Sequence, residues 1–413
     1  MRRDVTLEEA RALDAADPLA SFRDRFALPD GVIYLDGNSL GALPRATPDR
    51  LAEAVREEWG NDLIRSWNSA DWIGAPQRIG AKIARIVGAK PNEMLVADST
   101  SVNLFKLLVA GIGARPGRTV ILSEPGNFPT DLYVAQGVAA LLPGVEVRTV
   151  EREAIADAID EDVAIVMLTH VHYKSGVRFD MAAITRAAHE KGALMLWDLS
   201  HSAGAVDVDL GARDVDLAIG CGYKYLNGGP GAPAFLFVAE RLQESLRSPL
   251  TGWMGHAAPF DFGDGYAPGQ GIARFLCGTP PILGLVALEV GVDLMLEADR
   301  TALFAKSQAL CTMFIDLVED RCAGLGLTCI TPRDPSARGS HVSFAHEQGY
   351  RIMQALIARG VIGDFRAPDI LRFGLTPLYV GYRDVWNAVE ILRDILATEA
   401  WRAPAFNLRA AVT

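Results

Sequence analysis

The feature that most limits how this chain can fold is an alternation in its middle. Six short apolar runs, at 94–97, 119–122, 163–168, 193–197, 215–219 and 234–238, are separated by longer segments. The runs are rich in Val, Ile, Leu and Met and do not alternate apolar with polar residues. Strands covered by helices on both faces read this way. Segments such as 131–142 and 180–191 carry helical periodicity. Strand–helix–strand repetition of this kind predicts an α/β fold with a mostly parallel, doubly wound sheet.

From about residue 282 the pattern changes. Long helical stretches at 282–298 and 300–322 precede a strand pair at 327–331 and 341–344. A helix at 349–359, a strand at 370–374 and a final helix at 382–397 complete it. This reads as a smaller α+β domain over 282–413, after a large α/β domain over 46–281. Residues 1–45 contain Pro18, Pro29, Gly31, Gly37, Gly41 and Pro44, and are expected to form an N-terminal arm packing on the small domain.

Composition removes several function classes. With 40 basic against 51 acidic residues the net charge is −11, which gives no general attraction to nucleic acid or to an anionic membrane. Five cysteines without a C-x-x-C spacing argue against a disulfide framework and a structural zinc site. The first residues, MRRDVTLEEARALDAADP, have no apolar core of a signal peptide, and no uncharged stretch reaches the ~18 residues of a membrane span. A soluble, cytoplasmic chain is expected.

In open α/β sheets ligands bind beyond the carboxyl ends of the strands, so the residues after each run carry the functional reading. After 94–97 come Ser99, Thr100 and Ser101 before a helical pattern, either simple caps or a phosphate cradle. After 119–122 comes Asn127-Phe128-Pro129-Thr130-Asp131, either a turn into a helix or an aromatic ring and a carboxylate offered to a ligand. Thr169, His170 and His172 follow the third run; H-x-H can bind metal, but no further His has ligand spacing. Asp198 ends the fourth run with His201 three residues on. It either caps the next helix or holds a buried cation. Lys224 follows the fifth run, between Tyr223 and Tyr225 in a glycine-rich stretch. A lysine there is partly desolvated, and its amine becomes a usable nucleophile or base. Together these are the needs of pyridoxal 5′-phosphate: helix-end N–H groups for phosphate, a ring to stack on, a carboxylate for the pyridine nitrogen and a lysine for the aldehyde.

Longer motifs sharpen this. They are Tyr34-Leu35-Asp36-Gly37-Asn38-Ser39-Leu40-Gly41, Arg65-Ser66-Trp67-Asn68, Asn127-Phe128-Pro129-Thr130-Asp131 and Trp197-Asp198-Leu199-Ser200-His201. Further on come Gly222-Tyr223-Lys224-Tyr225-Leu226-Asn227-Gly228-Gly229-Pro230-Gly231, Gly252-Trp253-Met254-Gly255-His256, Cys277-Gly278-Thr279-Pro280, Arg338-Gly339-Ser340-His341-Val342 and Leu371-Arg372-Phe373-Gly374. In these, and in their order, the chain resembles the kynureninase family of fold type I pyridoxal-phosphate enzymes, related to the class V aminotransferases.

The resemblance implies hydrolysis of L-kynurenine, and of its 3-hydroxy derivative, to the anthranilate and L-alanine, within tryptophan catabolism. It implies pyridoxal 5′-phosphate held as an internal aldimine by Lys224. Asp198 would partner the pyridinium, with Asp131 beside it, and Phe128 would stack on the ring. Thr100, Ser101, Tyr223 and Trp253 would meet the phosphate, joined by Thr279 from a partner subunit. Pro129, Thr130, Thr169 and His201 would line the cofactor. Arg372 would clamp the substrate carboxylate, while Asn38, Trp67 and His256 shape the aryl pocket. Tyr223 would relay a proton, and the enzyme would be a homodimer with a shared site and no metal.

Three other readings are open. A desulfurase or aminotransferase could use the same scaffold, but a desulfurase needs a mobile nucleophilic Cys, and none of the five cysteines is expected in an exposed Gly/Ser-rich loop typical of one. A metal-dependent hydrolase could use His170, His172 and His201. A silent binding module would not need Lys224, Asp198 and Arg372 together. Gly111-Ile112-Gly113 lacks the spacing of a dinucleotide loop.

Overall fold

A computed structural model describes residues 5–408. Residues 1–4 and 409–413, the outer ends of the expected arm and C-terminal domain, lie outside the described residues. Contacts gather the chain into two units. The larger comprises Thr47–His170 and Phe179–Leu296. The smaller comprises the chain up to Ala46, Val171–Arg178 and the chain from Glu297 onward.

In the larger unit every apolar run is a strand. They form a seven-stranded sheet in the order Met94–Val96, Phe235–Val238, Leu217–Gly220, Leu194–Asp198, Val163–Thr169, Val120–Ser123, Glu146–Thr149. Neighbours are parallel except at Phe235–Val238, which runs antiparallel to both of its partners. The sheet is thus mixed and predominantly parallel, as the runs predicted. Six strands are buried along their whole length, because helices cover both faces. The seventh, Glu146–Thr149, was not anticipated: it is an edge strand whose Glu and Thr ends face water, so it carries no apolar run.

Helices Thr100–Gly113 and Pro129–Leu141 are placed by their apolar stripes. Leu104, Leu107, Leu108, Ala135 and Val138 join Ile121, Ile165, Leu194 and Leu217 in one buried cluster. Each parallel strand then delivers its following loop to the same edge of the sheet. Met94–Val96 does so too, since two antiparallel steps restore its direction.

The smaller unit holds a four-stranded antiparallel sheet, ordered Asp364–Arg366, Ile370–Gly374, His341–Ala345, Thr328–Cys329, and a parallel pair of Ile33–Tyr34 with Val361–Ile362. Helix Arg300–Arg321 packs on the sheet and on helix Tyr382–Ala397. It is the one helix among the described residues long and apolar enough to cross a membrane, and 56% of its apolar window is buried inside the fold. The N-terminal segment is built into this unit. Helix Leu7–Ala15 starts at a Thr6–Glu9 capping box. Its Asp14 carboxylate accepts the N–H groups of Tyr382 and Arg383 at the start of the last long helix, where the dipole favours a negative charge.

Candidate active site

At the carboxyl edge of the large sheet lies a cavity of about 490 Å³. Its wall includes Ser99, Thr100, Ser101, Phe128, Thr130, Asp131, Thr169, Asp198, His201, Tyr223 and Lys224. Five successive strand–loop junctions, far apart in sequence, supply them. Strand order brings them together.

Lys224 is 9% exposed, so its chain is buried and only its amine meets the cavity. Nζ lies 3.1 Å from His201 Nε2, 5.9 Å from the centre of the Phe128 ring and 5.8 Å from that of Tyr223. The loop carrying it is closed on itself. Asn227 N–H donates to the Lys224 carbonyl and Gly228 N–H to that of Gly222, both at 2.9 Å. Helix Ile282–Glu297 backs this loop so closely that a Cβ on Gly291 would collide with the Leu226 carbonyl.

Opposite the amine stand two carboxylates, Asp131 (1% exposed) and Asp198 (3%). Asp198 terminates a fully buried strand, and its Oδ1 accepts the Ser200 N–H at 2.7 Å, which closes a turn; no helix follows before strand Leu217–Gly220, so the expected helix cap is not formed. Asp131, in the first turn of the next helix along the sheet edge, accepts from Thr169 Oγ1 at 3.2 Å. Burial, reinforced by the Asp198 charge, holds the Asp131 carboxyl well above the usual carboxylate range; Lys224 pulls it back.

Asn127 is a residue that sequence reasoning gave no separate role. Its carbonyl oxygen lies 2.5 Å from Thr169 Oγ1 and 2.7 Å from the Phe128 N–H, while its amide donates to Ser123. This fixes Phe128, which is 37% exposed and offers a ring face to the cavity. Ser99 caps helix Thr100–Gly113 through the Val102 N–H. The hydroxyls of Thr100 and Ser101 therefore sit beside free helix-end N–H groups.

Three expected cofactor residues stand outside this wall. Pro129 fills the first helical turn, where its missing N–H costs nothing. Trp253 lines a separate recess with His256 and Tyr266, and Thr279 is solvent-exposed. Trp67, also in the larger unit, packs edge-on against Trp72 at 6.1 Å. His170 faces the Ser202 hydroxyl at 2.9 Å. Among the described residues no three His, Cys, Asp or Glu side chains are grouped to hold a metal ion.

In the smaller unit Arg372 is 2% exposed and engaged by a partner the sequence did not reveal, Asp364. Nε donates to Asp364 Oδ1 at 2.9 Å and one Nη to Oδ2. That same Nη also donates to Ser39 Oγ at 2.8 Å, and the other Nη donates to the Tyr173 carbonyl at 2.6 Å. Asp36 stands near. Burial and the Asp364 charge push its carboxyl up to about 7, against the opposing pull of Ser39, Arg372 and Arg366. Asn38 is fully buried, and its amide has no hydrogen-bond partner among the described residues. His172 of this unit is bonded to Ser175 at 3.1 Å.

Comparison with known proteins places this arrangement. Residues 303–392 match the kynureninase C-terminal domain, and residues 74–215 the DegT/DnrJ/EryC1/StrS aminotransferase family. A kynureninase of Burkholderia mallei is 55% identical over 414 residues, covering 99% of this chain and all of that one. Among solved structures, the apo cysteine desulfurase of Thermococcus onnurineus superposes with a TM-score of 0.78 at 18% identity, covering 92% of this chain and 98% of that one. A C-DES mutant with glycine covalently linked to its pyridoxal-phosphate cofactor gives 0.77 at 18% identity, covering 90% and 99%. These likenesses show the fold, that of the fold type I pyridoxal-phosphate enzymes.

Proposed function

The chain belongs to the kynureninase family, and from that premise we propose that it cleaves the Cβ–Cγ bond of L-kynurenine hydrolytically, giving anthranilate and L-alanine, with pyridoxal 5′-phosphate as cofactor. The 3-hydroxy substrate reacts at the same bond. The observation that carries the reading is the meeting of Lys224, His201, Phe128 and the Asp131–Asp198 pair in one cavity. Two buried carboxylates facing a single amine fit a ligand that brings a cationic ring nitrogen, and the Ser99–Ser101 helix start fits its phosphate.

Bound pyridoxal phosphate supplies an electron sink for the pair left on substrate Cα and, after cleavage, on Cβ. The chain supplies the rest. Lys224 Nζ is the attachment point and then the base for the Cα proton. His201 Nε2, 3.1 Å away, orients that amine between its tasks. Asp198 holds the proton on the cofactor's ring nitrogen, and Asp131 backs it. Thr169 fixes Asp131 and Asn127 fixes Phe128, whose ring would stack on that of the cofactor. Thr100, Ser101 and Thr130 hold the phosphate end.

Arg372, held in place by Asp364 and the Tyr173 carbonyl, takes the substrate α-carboxylate. Tyr223 carries the proton that completes alanine at Cβ. Asn38, Trp67 and His256 shape the aryl pocket. Tyr223 and Trp253 would also meet the phosphate, joined by Thr279 from a second copy, so that the working enzyme is a homodimer. The enzyme is cytoplasmic.

Burial raises the thiols of Cys221, Cys311, Cys322 and Cys329, the third and second of these to about 12, so none of these four is a ready nucleophile for a desulfurase. The test is product analysis. With L-kynurenine the protein should release fluorescent anthranilate and one equivalent of alanine. Sulfide from L-cysteine, without anthranilate from kynurenine, would overturn the proposal.

A further inference from the structure

Helix Thr100–Gly113, TSVNLFKLLVAGIG, has one charged residue, Lys106, and it is 0% exposed. Burying an ammonium in an apolar helix face is costly unless its partners are well placed. Here they are. Nζ donates to Asp98 Oδ2 at 2.7 Å and to the Phe275 carbonyl at 2.7 Å.

Both partners sit where a phosphate would be managed. Asp98 lines the cavity one residue before the Ser99 cap and two before Thr100. Its backbone is held at φ 51°, a left-handed conformation that side chains rarely adopt, and its carbonyl accepts the Ala234 N–H at 2.9 Å. Phe275 leads into Cys277, whose Sγ lies 3.7 Å from Asp98 Oδ1, and so toward Thr279.

An unpaired Asp98 carboxylate would stand beside the helix start that must receive a dianion, competing for its N–H groups and repelling its charge. We infer that Lys106 is a positioning residue for the cofactor's phosphate: it neutralises Asp98 and ties the 98–101 loop to the 275–279 segment from behind the cavity wall. This rests on the pyridoxal-phosphate reading above, and deepens it.

The test titrates cofactor-free protein with pyridoxal 5′-phosphate and, separately, with pyridoxal, read by tryptophan fluorescence and independent of turnover. In Lys106→Met the Kd for pyridoxal phosphate should rise about tenfold, while that for pyridoxal changes less than about threefold. The double variant Lys106→Met/Asp98→Asn removes both charges and should regain most of the phosphate preference. Equal losses for the two ligands, or no regain in the double variant, would overturn the inference. Should Lys106→Met fail to fold, Asp98→Asn alone decides: the phosphate preference should hold or rise, and a tenfold fall with pyridoxal spared would refute it. Wild-type protein that binds neither ligand would instead overturn the cofactor reading itself.

Discussion

Each unit of this molecule buries a pair of carboxylates, and the pairs are balanced in different ways. In the larger unit Asp131 and Asp198 face Lys224, a single amine that is proposed to be consumed and regenerated during turnover. In the smaller unit Asp36 and Asp364 face Arg372 and Arg366, two guanidiniums that both pair directly with Asp364. The first pair is therefore under-compensated by design of the fold. Burial and the Asp198 charge hold the Asp131 carboxyl well above the usual carboxylate range. The second is closer to complete, a latch that sets the aim of Arg372. An acid pair beside a lysine marks a place for chemistry, and one beside arginines a place for positioning.

Four experiments would break or sharpen this contrast. Lys224→Ala removes the cation that faces the first pair. Turnover should fall by about 10⁴-fold, and the borohydride-trappable chromophore should vanish. A chromophore that persists would move the attachment point elsewhere. Asp198→Asn should keep bound cofactor while kcat drops roughly 10²–10³-fold; near-normal turnover would remove the acid pair from the mechanism.

In the second pair, Arg372→Lys keeps charge opposite Asp364 but loses the fork. KM for kynurenine should rise on the order of 10-fold to 100-fold, with cofactor affinity unchanged. Equal loss of both would place that arginine among the cofactor's own ligands.

The smallest effect concerns stability. The folded Asp36 carboxyl sits at about 7, above its ordinary value of 3.8. Folding is therefore favoured by this group below pH 3.8, and that contribution is lost as pH rises through 7. Asp36→Asn should melt at the same temperature as the parent at about pH 4 and a few degrees higher at about pH 8. A lower melting temperature at about pH 8 would show that the charge is needed.

Much of the larger unit was legible in the sequence because both faces of its sheet are covered, so each strand declares itself as an apolar run. The edge strand Glu146–Thr149 made no such signal, and neither did the short strands Ile33–Tyr34 and Val361–Ile362 of the smaller unit. Lys224 and Asp198 were legible from position alone, one residue type each at a strand end. Asp364 was not. It lies within a short half-buried strand, and its meaning depends on Arg372, eight residues away along the chain and paired across two strands. Lys106 carried a readable signal, the lone charge in an apolar helix, but only its partners gave that signal a meaning.

The closure of the 222–228 loop against helix Ile282–Glu297 has a kinetic consequence. In the proposed reaction, a side chain on so stiff a tether would not drift far when its bond is exchanged for another. Its local concentration stays high, and recapture competes well with escape of the half-processed ligand. The same stiffness forbids adaptation there. New substrate preferences in this scaffold should arise from changes on the opposite wall, leaving the lysine where it is.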